Sequence, residues 1–177
     1  FLMRSPSFSA GLIVVLGLGL AANLSAASAP ARTPKKVLFF SKSSGFEHDA
    51  IKLKMKDGRE GYAFPVLREI GEKNNIEFTF SKDGSLFTPE YLAAFDAFLF
   101  YTTGDLTTRR DLKARGDDSP LMTPAGKAAL LQAIQEGKGF VGVHSASDTF
   151  HTPGDDEDGP TRFTANGTRV DPYIGML

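Results

Sequence analysis

The chain contains no cysteine, which excludes thiol nucleophiles, disulfide staples and thiolate metal sites together. It also lacks an excess of either charge, with 20 lysines and arginines against 21 aspartates and glutamates. No basic field is available to attract nucleic acid or anionic lipid, and neither is expected as a partner. Long apolar runs are missing as well. The stretch from Ala10 to Leu24 is interrupted by Gly11, Gly17 and Gly19 and falls short of the roughly 20 residues that a membrane-spanning helix needs. No internal repeat is present.

What the N-terminus does have is the three-part plan of a secretory signal. Arg4 lies near the start, the apolar core follows, and Ala27-Ser28-Ala29 precedes Pro30, so cleavage is expected after Ala29. Phe1 and Leu2 precede Met3, the more natural start. With no cysteine near the cleavage site to carry a lipid, the mature protein is expected to be exported, periplasmic or secreted, and free of the membrane. This reading assigns residues 1–29 to the signal, 30–35 to a polar linker and 36–177 to one domain. The 148 residues from 30 to 177 suffice for a single hydrophobic core, and without disulfides that core is the main source of stability.

Val37-Leu38-Phe39-Phe40 is an unbroken apolar run leading into Ser41-Lys42-Ser43-Ser44-Gly45, the pattern of a buried parallel strand. The plan recurs at Ile76 to Phe80, Asp96 to Tyr101 and Gly139 to Val143. None alternates cleanly, so all four strands are expected to be covered on both faces by helices. Phe64, Leu67 and Ile70 have helical spacing, which predicts a helix near Tyr62 to Lys73 with Pro65 in its first turn. Thr88-Pro89 opens a short helix through Tyr91 and Leu92, threonine capping and proline at the first position. Thr123-Pro124 repeats the device ahead of Leu130, Leu131 and Ile134, with Gly137 as terminator. The order β-α-β-α-β-α-β predicts an α/β fold with an open, doubly wound parallel sheet. Two charged segments, Thr107 to Pro120 and Thr152 to Pro160, read as surface loops. The acidic run Asp155 to Asp158 does not match the alternating ligands of a calcium loop, and Asn166-Gly167-Thr168 fits a glycosylation acceptor, a pattern common by chance.

In open parallel sheets ligands bind beyond the carboxyl ends of the strands, and those positions here are polar. The first strand leads to Ser41, Ser44, Gly45, Glu47, His48 and Asp49, the third to Thr102, Thr103, Gly104 and Asp105, the fourth to His144, Ser145, Ala146, Ser147 and Asp148. Two of the chain's three histidines therefore reach the same rim from different strands, a placement that favours function over packing. Gly142-Val143-His144-Ser145-Ala146 is built like a nucleophile elbow, with small residues permitting a sharp turn that exposes the central side chain. That side chain is an imidazole, able to act as general base or metal ligand. The plainer alternative is a capped turn with a hydrogen-bonded histidine.

Lys36 to Phe40 running into Gly45-Phe46-Glu47-His48-Asp49, Phe95-Asp96-Ala97-Phe98 into Thr102-Thr103-Gly104-Asp105, and Gly137 through His144-Ser145-Ala146-Ser147-Asp148-Thr149 together resemble the ThuA-like (trehalose utilisation) family. The resemblance runs from Lys36 to the end and implies the class I glutamine amidotransferase-like fold, a flavodoxin-like sheet. True amidotransferases of that fold carry a cysteine at the elbow, where this chain has His144, so glutaminase chemistry is not implied. A sugar-related role is implied, with His48, Gly104, Asp105, His144, Ser145 and Asp148 at motif positions. The family pattern continues past Pro172-Tyr173-Ile174-Gly175-Met176-Leu177 into a Gly-rich turn, a strand and another histidine. The resemblance therefore implies a chain truncated at its C-terminus, with an incomplete sheet and an exposed strand edge.

The leading expectation is a carbohydrate-active enzyme, a hydrolase or lyase acting on a small-molecule sugar, with His48, His144 and Asp148 as catalytic residues and Ser44, Thr103, Gly104, Asp105 and Ser145 binding the substrate. No cofactor is fixed by the sequence. A metal version places His48, His144 and an acidic partner around a divalent ion, zinc by ligand type, although no four-ligand cluster at regular spacing is present. His151 reads as a surface residue. The alternatives are a non-catalytic carbohydrate-binding module and an interaction module that keeps an inherited fold.

Overall fold

A computed structural model describes residues 32–44, 46–107, 117–150 and 171–176. The signal and its cleavage site, Gly45, the 108–116 stretch, His151, the acidic run and the Asn166 acceptor lie outside the described residues.

Four strands form one parallel sheet: β1 (Lys35–Phe40), β2 (Ile76–Ser81), β3 (Ala97–Tyr101) and β4 (Gly139–Val143), in the order β2-β1-β3-β4. Between them run α1 (Ala63–Asn74), α2 (Pro89–Ala93) and α3 (Pro124–Gln135), and α4 (Pro172–Met176) follows β4. The order is that of a flavodoxin-like, doubly wound sheet. The chain leaves β1 toward β2 on one side and returns past it to β3 on the other, which makes the β1–β3 boundary the topological switch point.

The unbroken apolar run of β1 has a direct cause. Successive side chains point to opposite faces, and both faces are covered. On one, Leu38 and Phe40 join Phe98, Phe100, Leu92 of α2 and Leu130 of α3 in a buried cluster. On the other, Phe39 packs with Phe64 of α1, with Phe80, Leu99 and Tyr101 against it. The Phe40 and Phe87 rings meet edge to face at 4.6 Å, and Phe39 and Phe64 at 6.0 Å. Each fully buried ring of this kind contributes about 1.5–3 kcal/mol relative to exposure.

The caps behave as the threonines predict: Thr88 Oγ1 accepts from Tyr91 N–H at 3.2 Å and Thr123 Oγ1 from Gly126 N–H at 2.9 Å. Gly137, just past α3, has φ +104°, the left-handed region that glycine enters without steric cost.

Three expectations need correction. Ile70 is 40% exposed; α1 reaches β2 instead through Gly71, where an added Cβ would lie 2.6 Å from the Ile76 carbonyl oxygen. β4 is not covered on both faces. Val141 and Val143 are 55% and 39% exposed, since among the described residues β4 pairs with β3 alone and ends the strand order. The end of the 107–120 segment is not a solvated loop either, since Asp117 and Ser119 are drawn into a partly buried ion-pair network. Among the described residues no helix is long and apolar enough to cross a membrane.

Candidate functional site

The site grows from the ends of β1, β3 and β4. Past Phe40 the chain stays in register with its neighbours: Ser41 N–H donates to the Ser81 carbonyl at 3.0 Å and Ser44 N–H to the Thr103 carbonyl at 2.8 Å. Thr103 Oγ1 then donates to the Phe46 carbonyl at 3.1 Å, pinning the loop two residues before His48. On the other side, Gly104 N–H donates to the Asp148 carbonyl at 2.8 Å, and the buried Thr102 and Thr149 hydroxyls share a hydrogen bond of 2.7 Å. The β3 loop is thus a rail to which the loops after β1 and β4 are both fastened. Gly104 takes φ +73° there, a conformation costly for residues with a Cβ.

The result is a meeting of imidazoles. The His48 and His144 rings lie 5.4 Å apart between centroids, inclined at 62°. His48 also meets Phe46 edge to face at 5.0 Å and Tyr101 at 5.8 Å. His48 is partly buried and His144 exposed, so the pair opens to solvent on the His144 side.

The remaining sequence candidates are placed less directly. Thr103 and Gly104 are buried, their polar groups joining loop to loop. Asp105 turns back on its own chain, its carboxylate accepting from Thr107 N–H at 2.9 Å and from the Thr107 hydroxyl at 2.7 Å. Ser145 precedes a 3-10 turn, Ala146–Asp148, and its carbonyl accepts from Asp148 N–H at 2.8 Å. The hydroxyl of Ser44 is buried and, with those of Ser41 and Ser43, makes no hydrogen bond to a described residue. Such groups are uncommon in folded proteins, and each calls for an explanation. Beside His48, the Asp49 carboxylate accepts from Lys52 at 2.5 Å, and this bond with the lysine's charge holds it below the ordinary carboxylate value.

Behind this rim lies a network that inspection of the sequence does not find. Lys42 and Lys82 have side chains only 1% and 6% exposed, and both reach Asp117 at 3.3 Å. Lys42 also donates to the Ser119 carbonyl at 2.6 Å, and Lys82 to the Ser41 carbonyl at 2.7 Å and to Glu47 at 3.0 Å. Burial by itself raises the Asp117 carboxyl. The Ser119 hydroxyl, the Ser43 N–H and the charges of Lys82 and Lys42 together outweigh it and hold the group below its ordinary value. Through Glu47, this network grips the residue next to His48. The available signal was a lysine two residues past an unbroken apolar run, at Lys42. Tyr101 was missed too; it read only as the last residue of a strand, and its ring borders His48. Burial raises its phenol, with a smaller contribution from the neighbouring Tyr62.

The donor set does not complete a metal centre among the described residues, where no three or more His, Asp or Glu side chains converge. Two imidazoles alone fall short of the three protein ligands typical of catalytic zinc. What the pair offers is proton exchange: two nitrogen bases side by side, open to solvent, on a fastened loop frame.

A family model described as "ThuA: Trehalose utilisation" matches residues 36–156, a span that runs from Lys36 of β1 past β4 and includes His48 and His144. No curated protein and no solved structure matches the chain.

Proposed function

Because the chain belongs to the ThuA trehalose-utilisation family, of the class I glutamine amidotransferase-like superfamily, we propose that it is an exported enzyme of disaccharide metabolism that works through the His48–His144 pair. The single observation that carries the reading is the 5.4 Å approach of those two rings at the carboxyl ends of the strands, where this fold class binds ligands. An imidazole exchanges its proton between about pH 5 and 8. A neighbouring pair can therefore supply a base that takes a proton from water or a sugar hydroxyl and an acid that gives one to a departing oxygen. Ser145 and Asp148 border the same rim, and the Ser44 hydroxyl lies buried beneath it without a described partner. No nucleic acid or membrane partner enters the proposal.

The test uses protein recovered from outside the cytoplasm, with its N-terminus expected at Pro30. Turnover of disaccharides and their keto derivatives is followed by product chromatography, and binding by calorimetry. His48→Ala and His144→Ala should each cut turnover by about 10²–10⁴-fold, the usual contribution of a positioned acid or base, while disaccharide binding survives. Unchanged turnover in both variants would remove the pair from the chemistry; binding with no turnover by the parent protein would mark a carbohydrate-binding module instead.

A further inference from the structure

The surface around the two imidazoles keeps an aromatic ring in water. Phe46, whose ring meets His48, is 51% exposed, forgoing much of the stabilisation that burial brings. Phe46 is not loosely held. Its carbonyl accepts from Thr103 Oγ1 at 3.1 Å, and the next residue, Glu47, is gripped by Lys82 at 3.0 Å. The chain is anchored at and just after a ring that faces solvent.

The rings gather on His48. Phe46 meets His48 at 5.0 Å, His48 meets Tyr101 at 5.8 Å, and His144 stands against His48 at 5.4 Å. Each step is comparable to the breadth of a sugar ring. The group combines apolar faces with nitrogen and hydroxyl edges, and ligand sites typically pair such aromatic walls with a few placed polar groups. A pyranose has the matching character, with C–H groups on its faces and hydroxyls around its rim. Anchored aromatic surface bordering polar groups marks an interaction site more readily than chance exposure does.

We propose that Phe46 is the stacking residue of a saccharide site, lying against the C–H face of one pyranose so that the bond to the second ring sits over His48 and His144. This rests on the reading of the histidine pair as a sugar-processing centre and adds the residue that fixes where the sugar lies. A polypeptide docked on the same rings is the competing occupant.

The chain has no tryptophan, so Phe46→Trp installs a sole indole at the position in question. Titrating this variant with trehalose and other disaccharides should change the indole emission saturably, and glycerol should not. Phe46→Leu should weaken disaccharide binding about five- to tenfold, the scale of one aromatic contact, with little change in melting temperature because the ring is half exposed. Equal binding by the parent protein and Phe46→Leu, together with a silent indole, would overturn the stacking role while leaving the histidine reading intact. Failure of every disaccharide to bind the parent protein would overturn both.

Discussion

Asp117 shows how one side chain can hold a site it does not enter. Its carboxylate, 11% exposed, joins two lysines whose side chains are 1% and 6% exposed, and one of those lysines grips Glu47 beside His48. Removing one partner of a buried pair leaves uncompensated charge, so Asp117→Asn should destabilise the protein by about 3–5 kcal/mol at neutral pH. The pH dependence has a definite sign. The folded carboxyl is held below its ordinary value, so its contribution is present above the unfolded value of about 3.9 and is lost as pH falls through the lower folded value. Urea unfolding from pH 7 to pH 3 should show a constant gap between parent and Asp117→Asn down to about pH 5, narrowing below about pH 4. Parallel curves to pH 3 would show that the carboxylate does not matter in this way. The residue was illegible in the sequence because Thr107 to Pro120 is rich in charge, and which carboxylate turns inward depends on lysines arriving from β1 and β2.

Among the elements, the loop from β1 to α1 carries both Phe46 and His48 and closes through Gly61. Gly61 N–H donates to the Lys52 carbonyl at 2.8 Å, and a Cβ there would lie 2.2 Å from the Ala50 carbonyl oxygen. That neighbour is backbone and cannot swing aside. Gly58 in the same loop has φ +84° with nothing within 4 Å of an added Cβ. Gly61→Ala should therefore cost about 1–3 kcal/mol by overpacking, and Gly58→Ala only about 1 kcal/mol by backbone strain. Thermal melts check the ranking, and equal melting temperatures would contradict it. Most elements were readable, because their causes are local: threonine-proline pairs start α2 and α3, and apolar runs mark the strands. The β1–α1 loop was not, since Gly61 owes its identity to a contact with Ala50 that only the folded chain creates. The exposed face of β4 was equally hidden, because Val141 and Val143 read as core by type and lose that status only through β4's place at the end of the described strand order.

At the scale of the whole molecule, strand order decides which loops meet. The order β2-β1-β3-β4 sets the carboxyl ends of β1, β3 and β4 side by side, and the β3 loop fastens the other two. Sequence reading could locate both histidines after strands and anticipate the sheet, but their mutual distance is a property of topology. The most direct measurement is the nuclear Overhauser spectrum of the full chain, with ring-labelled histidine and His151→Gln leaving two imidazoles. Rings 5.4 Å apart and inclined at 62° should give a cross-peak between the His48 and His144 ring protons, with further peaks from His48 to Phe46 and Tyr101. Imidazoles that show no mutual cross-peak and report only on separate surroundings would contradict the shared centre on which the proposed chemistry depends.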